Sequence, residues 1–278
     1  MERSTTLIHI SDLHFHRVPR RPSQWFSQRF LGAANLVLRR AYQFPLERAV
    51  RLVHMLDGMD WDHLVITGDL TQLSLEEEFA LARQTLEPLL ARGPERITVV
   101  PGNHDRYVPD SQPHNGFEAY FGEFFGKGEI RTADLNDTWH LAAWDSAVVS
   151  PPMMAWGEVS QKTLKATSQW IKELPENSRV VLANHYPLEF KFPFRYVPSH
   201  DLREYRKVKQ WLEKQPVDLY LHGHIHSNWI LHKEDKGRTC THVNSASSTA
   251  VPTRRQRSSF HRIIFQGEQF EVQPLAVD

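Results

Sequence analysis

The chain has 278 residues, and its 33 basic and 33 acidic side chains give a formal net charge of zero. A hydrophobic fraction of 40% is enough for one sizeable core, and the single cysteine excludes a disulfide framework and a thiolate metal site. We therefore expect one domain over residues 1–278. The sequence shows neither a signal-peptide pattern nor a membrane-spanning stretch, which predicts a cytoplasmic protein, with the inner face of the membrane as a further option.

Short apolar runs predict the strands of the fold. Five of them are rich in β-branched residues and are closed by Gly, Asn or Asp, which is typical of buried strands. They cover residues 7–10, 64–66, 97–100, 180–182 and 219–221. Four later runs, at 229–231, 239–243, 260–265 and 269–272, are predicted to be antiparallel strands.

Three helices are predicted between the strands, at 45–56, 75–90 and 160–174. Pro45 starts the first helix, and Ser74 and Glu77 have the spacing of a capping box at the second. Strands that alternate with helices predict an α/β fold, and the antiparallel tail adds mixed sheets. We expect a layered β-sandwich flanked by helices.

Potential metal ligands follow each of the five buried strands. They are Asp12, His14, Asp69, Asn103, His185, His224 and His226. Ligands collect at the loops beyond strand ends in layered α/β folds, so these side chains should lie close together. Oxygen donors mixed with imidazoles suit a pair of divalent cations such as Mn, Fe or Zn.

The order of these segments resembles that of the calcineurin-like metallophosphoesterases, from Leu7 to about Phe265. The matching segments are Asp12-Leu13-His14, Gly68-Asp69, Gly102-Asn103-His104-Asp105, Asn184-His185 and Gly223-His224-Ile225-His226. The resemblance implies that one ion is held by Asp12, His14, Asp69 and His226. It implies that the second ion is held by Asp69, Asn103, His185 and His224, with Asp69 bridging.

The same resemblance implies roles for two residues that do not bind metal. His104 matches the catalytic histidine, and Asp105 matches the residue that orients it. Two divalent ions would lower the pKa of a bridging water and supply hydroxide, and His104 would protonate the departing oxygen. We expect hydrolysis of a phosphoester or phosphoanhydride, with Mn preferred and Fe or Zn as alternatives.

An arginine-rich segment lies directly after the first motif. Residues 15–46 contain six arginines, many aromatic residues and no Asp or Glu. This composition suits an insertion that covers an amphiphilic substrate or lies on an anionic membrane, with Arg39 and Arg40 as substrate contacts. A helix packed on the sheet is an equally weighted alternative, and binding of single-stranded nucleic acid is the least favoured.

Two other places offer substrate contacts. Arg106 follows the Asn-His-Asp triplet and could reach a phosphate, and an aromatic-basic loop at 188–200 places Phe194 and Arg195 after a ligand. The segment around 30–40 and the run at 75–79 resemble the chlamydial-type UDP-2,3-diacylglucosamine pyrophosphatases of lipid A synthesis. A cyclic-nucleotide or general phosphodiesterase and a non-catalytic binding scaffold of the same fold are the alternatives.

Overall fold

Two mixed β-sheets form the framework of the protein. The computed structural model describes residues 4–18, 41–106, 116–151, 153–235, 237–245, 248–253 and 258–277. The strands are β1 (Thr5–Ile10), β2 (His63–Ile66), β3 (Ile97–Val99), β4 (Arg131–Asp134), β5 (Trp139–Ala143), β6 (Arg179–Ala183), β7 (Val217–His222), β8 (Asn228–Asp235), β9 (Arg238–Ser245), β10 (Ser259–Gln266) and β11 (Gln269–Ala276). One sheet has the order β11-β10-β1-β2-β3, and the other β4-β5-β6-β7-β9-β8.

Five helices flank these sheets in the described part of the chain. They are α1 (Leu46–Asp57), α2 (Glu76–Leu90), α3 (Gly116–Phe125), α4 (Gln161–Glu173) and α5 (Tyr205–Leu212). Short 3₁₀ turns at Pro94–Arg96 and Asn103–Arg106 and a helical turn at Ala41–Gln43 complete the secondary structure. None of these helices combines the length and the hydropathy that crossing a bilayer requires.

Side chains that alternate along the central strands divide the interior into two cores. Val181 and Leu219 join the larger core, which both sheets share with α1, α2 and α3. Their neighbours Leu182 and Tyr220 point the other way, into a second core with α4 and α5. Strands that are buried on both faces explain why these runs are continuously apolar.

Parallel strands of one sheet end at the same edge, so the loops that follow them lie side by side there. β1, β2 and β3 are mutually parallel in one sheet, and β5, β6 and β7 are parallel in the other. All five predicted buried strands are present, and so is the layered α/β fold. The predicted antiparallel strands at the end of the chain are also present, but they are divided between the two sheets. β9 pairs with β8 in one sheet, whereas β10 pairs with β1 in the other.

The start of α2 differs from the predicted capping box. Leu75, not Ser74, is the N-cap, and the acid that returns to its backbone is Glu78, not Glu77. Ser74 has a φ of 54°, a left-handed conformation that ends the preceding turn rather than starting the helix. Only the acid half of a capping box is therefore present, because the Leu75 side chain has no acceptor, and this acid is fully buried.

Buried neutral histidines make the fold sensitive to acid. Burial lowers the pKa of His63 from 6.5 to about 3, helped by the charges of Arg131 and Arg96, and lowers that of His261 to about 4. The unfolded chain binds these protons more readily, so their stabilisation is complete above pH 6.5 and is lost as the pH falls towards 4.

We expect each of these histidines to cost about 2 kcal/mol of unfolding free energy at pH 5, which lies 1.5 pH units below the ordinary pKa of 6.5. Urea titrations between pH 8 and pH 5 measure this loss. His63→Gln, which can still bond Thr98, should show a shallower decline, whereas His54→Gln on the exposed face of α1 should follow the parent protein. Parallel slopes for all three proteins would contradict the assignment.

Candidate dinuclear metal site

The predicted ligands meet where the two sheets end at the same edge. Asp12 and His14 follow β1, Asp69 follows β2 and Asn103 follows β3, whereas the other histidines, His185, His224 and His226, follow β6 and β7. Glycines permit the close approach of these loops. A side chain at Gly102 would collide with Asp69, and one at Gly223 would collide with Ser11 and Asp12.

Five of the ligands have positive φ angles, which L-residues rarely adopt. The angles are 55° at Asp12, 50° at His14, 53° at Asp69, 74° at His224 and 42° at His226. Such backbone conformations cost of order 1–3 kcal/mol each and persist where neighbouring structure fixes them. Here the N–H of Asp12 donates to Gly68 O at 3.0 Å, and that of His14 to Asp69 O at 2.9 Å. These hydrogen bonds hold the loops in the conformations that direct the ligand side chains into the site.

The first group of ligands is tight. The four ligand atoms of Asp12, His14, Asp69 and His226 lie within 4.8 Å of one another. The Nε2 atoms of His14 and His226 are 2.9 Å apart, and Asp12 Oδ1 is 3.3 Å from His226 Nε2. This is the set that the sequence assigned to one ion.

The second group lies directly beside the first. Asn103 Oδ1 is 3.1 Å from His185 Nε2 and 3.0 Å from His224 Nδ1, and the two ring nitrogens are 3.2 Å apart. Asp69 faces both groups, because its Oδ2 is 3.8 Å from His14 Nε2 and its Oδ1 is 3.6 Å from His185 Nε2. That arrangement fits a bridging carboxylate.

The chemistry of this donor set suits divalent cations. Ring nitrogens and carboxylate or amide oxygens converge in a largely buried space, where so many electron-rich atoms repel one another unless a cation lies between them. Burial lowers the pKa of both His185 and His224. The shift favours the neutral rings, which are the form that binds metal.

Main-chain carbonyls determine which ring nitrogen faces the site. His185 donates from Nδ1 to Thr67 O at 2.7 Å, so Nε2 is its ligand atom. The ring of His224 donates to the carbonyl of His200, and the carboxylate of Asp201 lies 3.7 Å from His224 Nε2. His224 therefore presents Nδ1. Neither Thr67 nor Asp201 could be assigned these roles from the sequence.

His104 is held beside the ligands by its own backbone and by a neighbouring loop. Its N–H donates to Asp69 Oδ1 at 2.9 Å, and its Nδ1 is 2.7 Å from the main-chain oxygen of Gln72. The side-chain amide of Gln72 is 3.3 Å from the same nitrogen. Because Nδ1 carries the proton given to Gln72, proton transfer to a substrate belongs to Nε2.

Asp105 has a different task from the one expected. Its carboxylate accepts hydrogen bonds from the N–H groups of Leu70, Thr71 and Gly102 at 2.8–3.1 Å, and from the Thr71 hydroxyl at 2.9 Å. These bonds tie the Asp69 and Asn103 loops together. The contact that orients the His104 ring is made by Gln72 instead.

Arg106 pairs with two carboxylates in this structure. Its guanidinium lies 2.6 Å from Asp145, contacts Glu118, and lies over the ring of Phe117. These pairs anchor the start of α3 and the loop after β5 to the His104 turn. A contact of Arg106 with the substrate stays a prediction.

The remaining predicted contacts fall in two regions. Phe194 and Arg195 line a cavity of about 710 Å³ that also contains Asp69, Asn103, His104, His224 and His226. Arg39 and Arg40, like most of the arginine-rich segment, lie outside the described residues. Phe44, near the end of that segment, packs its ring 4.5 Å from the ring of His14 and 5.8 Å from that of His226.

Known proteins share this sequence pattern and this fold. Residues 5–228 match the family described as calcineurin-like phosphoesterase. The 3′,5′-cyclic adenosine monophosphate phosphodiesterase CpdA of Escherichia coli K12 is 25% identical over 228 residues, which are 81% of this chain and 70% of that protein.

Solved structures resemble the whole chain. A dimetal phosphatase from Danio rerio, 13% identical, superposes with a TM-score of 0.67 over 99% of this chain and 96% of its own. The purple acid phosphatase PPD1 from yellow lupin seeds, 11% identical, gives 0.63 over 100% of this chain and 52% of its own. At such identities the likeness shows the fold alone. Because the family match spans most of the chain, the protein belongs to the calcineurin-like phosphoesterases and is a metal-dependent phosphoester hydrolase.

Proposed function

We propose that this hydrolase cleaves the diphosphate of a lipid-linked nucleotide, with UDP-2,3-diacylglucosamine as the substrate and Mn²⁺ as the metal. The observation that carries this proposal is the apolar wall of the cavity that contains the ligand groups. A water-soluble phosphodiester would leave such a wall in contact with solvent, whereas an acylated substrate would cover it.

The apolar wall consists of Met153, Met154, Pro193, Phe194 and Val197. Met153 is 82% exposed and Phe194 40% exposed, although both face the cavity. Arg195 and His200 lie on the same rim and can complement a phosphate. Apolar and cationic groups side by side are what an amphiphilic phosphate ester requires.

The arginine-rich segment supports the proposal from the other side of the site. Phe44, which contacts the rings of His14 and His226, brings the end of this segment to the first ligand group. We propose that the segment covers the acyl chains and contacts an anionic membrane surface through its arginines. The partners would then be the lipid substrate and the bilayer that contains it.

The residues divide the reaction between them. Two divalent cations held by the ligand groups would acidify a water and neutralise the phosphoryl oxygens. Asp69 places its two oxygens between the groups, and Gln72 holds the proton on Nδ1 of His104. His104 Nε2 then protonates the oxygen of the departing group. No side chain forms a covalent bond with the substrate in this scheme.

The test is Mn²⁺-dependent release of UMP from UDP-2,3-diacylglucosamine in detergent micelles. Release by the intact protein supports the proposal. Cleavage of bis-(p-nitrophenyl) phosphate in the same buffer without release of UMP would support phosphodiester hydrolysis, the chemistry of the family, and would contradict the proposed lipid substrate.

A cyclic nucleotide is the second candidate substrate. The similarity to the cyclic AMP phosphodiesterase of E. coli over 81% of this chain favours it. Parallel assays with 3′,5′-cyclic AMP decide between the two, because a small polar substrate gains nothing from the apolar wall. Turnover of cyclic AMP at a much higher kcat/KM than the lipid would establish this alternative.

Removing the Phe194 ring should weaken binding of an acylated substrate selectively. We expect Phe194→Ala to raise KM for the micellar substrate about tenfold, which corresponds to a partly buried ring, and to leave bis-(p-nitrophenyl) phosphate unaffected. Phe192→Ala is the matched control, because this neighbouring ring is 92% exposed and does not line the cavity. Equal effects of both variants would argue against an acyl contact at Phe194.

A further inference from the structure

A buried carboxylate lies beneath the loop that orients His104. Glu78, in the first turn of α2, is 0% exposed. An acid at this position of a helix normally returns to the N-cap backbone on the protein surface. Glu78 does so, since it accepts from Leu75 N at 3.2 Å, but it also makes contacts that no helix start requires.

These extra contacts reach two loops of the active site. Glu78 Oε2 accepts from Leu73 N at 2.8 Å. Glu78 Oε1 accepts from Arg17 N at 3.1 Å, three residues beyond the ligand His14. One side chain thus fixes the loop after Asp69 and the end of the loop after Asp12.

Gln72 connects this carboxylate with the catalytic histidine. Its carbonyl receives the Nδ1 proton of His104 at 2.7 Å, and the N–H of the same peptide group, that of Leu73, donates to Glu78 Oε2 at 2.8 Å. A peptide group is planar and rigid, so fixing its N–H restricts the direction of its carbonyl. A shift of the Gln72 loop would turn the ring of His104 away from the departing oxygen.

We infer that Glu78 is a positioning residue for His104, which it orients through the backbone of Gln72. This inference rests on the proposed role of His104 as the proton donor. A proton donor matters most when the departing oxygen is basic, because a weakly basic leaving group departs without protonation. Loss of positioning should therefore slow substrates with a basic departing oxygen more than others, whereas a general loosening of the structure should slow all of them alike.

The test uses two aryl esters of UMP that differ only in the departing phenol. We expect Glu78→Gln to lower kcat for the phenyl ester at least about tenfold more than for the p-nitrophenyl ester, with KM and bound metal unchanged. The glutamine amide offers one acceptor and places N–H donors against the backbone N–H groups, so the loop must move. Glu77→Gln, one residue away and exposed, is the matched control and should behave like the parent protein.

His104→Ala, assayed in parallel, separates the two hypotheses. If His104→Ala shows no preference for the better leaving group, the proton-donor role itself fails. If His104→Ala does show this preference, but Glu78→Gln loses activity towards both esters equally or loses metal, the positioning role of Glu78 is overturned. The double variant should lose no more than His104→Ala alone. Should Glu78→Gln not fold, Glu78→Asp, which retains the charge one methylene shorter, is judged by the same criteria.

Discussion

Asp69→Ala is expected to abolish hydrolysis and to remove both metal ions. The two oxygens of this carboxylate face His14 in one ligand group and His185 in the other, so the substitution takes a ligand from both ions at once. Loss of the charge stabilisation that two cations provide, about 4 kcal/mol or more, corresponds to roughly a thousand-fold loss of kcat/KM. Assay with bis-(p-nitrophenyl) phosphate and metal analysis by mass spectrometry measure the two effects together.

Asp60→Ala is the control for this experiment, because Asp60 is an exposed aspartate before β2. It should retain both metal and activity. An Asp69→Ala protein that kept two ions per chain would contradict the bridging position. One that lost only the ion bound by His185 and His224 would mean that the first group holds its metal without the bridge.

His104→Ala is expected to keep its metal and lose turnover. The Nδ1 contact with Gln72 and the edge-on packing against His14 at 5.0 Å place this ring at the cavity without including it in either ligand group. General acid catalysis contributes about 10²–10⁴-fold, and kcat should fall by that factor for poor leaving groups. Single-turnover kinetics and metal analysis distinguish loss of chemistry from loss of the ions.

The matched control is His200→Ala, because His200 is an exposed histidine on the rim of the same cavity. Its loss should alter KM more than kcat. Unchanged turnover of a fully metallated His104→Ala protein would remove His104 from the mechanism.

Candidate ligands could be named from the sequence because the chemistry restricts their residue types. Only carboxylates, imidazoles and amides can supply such a site without cysteine, and each stood after a strand-like run. The orienting contacts could not be predicted in the same way. Gln72 and Thr67 act through main-chain oxygens, which every residue possesses, so no residue type marks them.

Long-range pairing gives Arg106 two partners that the sequence could not indicate. An arginine beside a phosphoesterase motif suggests a phosphate contact, but its partners Glu118 and Asp145 lie far along the chain, and only the fold brings them together. The failure of the capping box predicted at Ser74 has a local cause. Ser74 takes a left-handed conformation, whereas an N-cap residue is usually extended, and the acid that reaches the N-cap backbone is Glu78.

Some elements carried too weak a pattern to predict. β5 contains alanines and a tryptophan in place of a β-branched run, although all five of its residues are buried. α5 is eight residues long and buries only Val208 and Leu212, which is too short a run to show a helical period. Tertiary packing rather than local preference forms both elements.

The two ligand groups draw on both sheets. Asp12, His14, Asp69 and Asn103 come from the five-stranded sheet, while His185, His224 and His226 come from the six-stranded one. Bound ions would therefore act as a reversible cross-link between the layers, and the free energy of metal binding adds to that of holding the layers together. A substitution deep in the shared core that lets one sheet slide against the other would loosen the ions before it unfolds the chain. Metal affinity in this protein is thus a property of the whole sandwich as much as of its seven ligands.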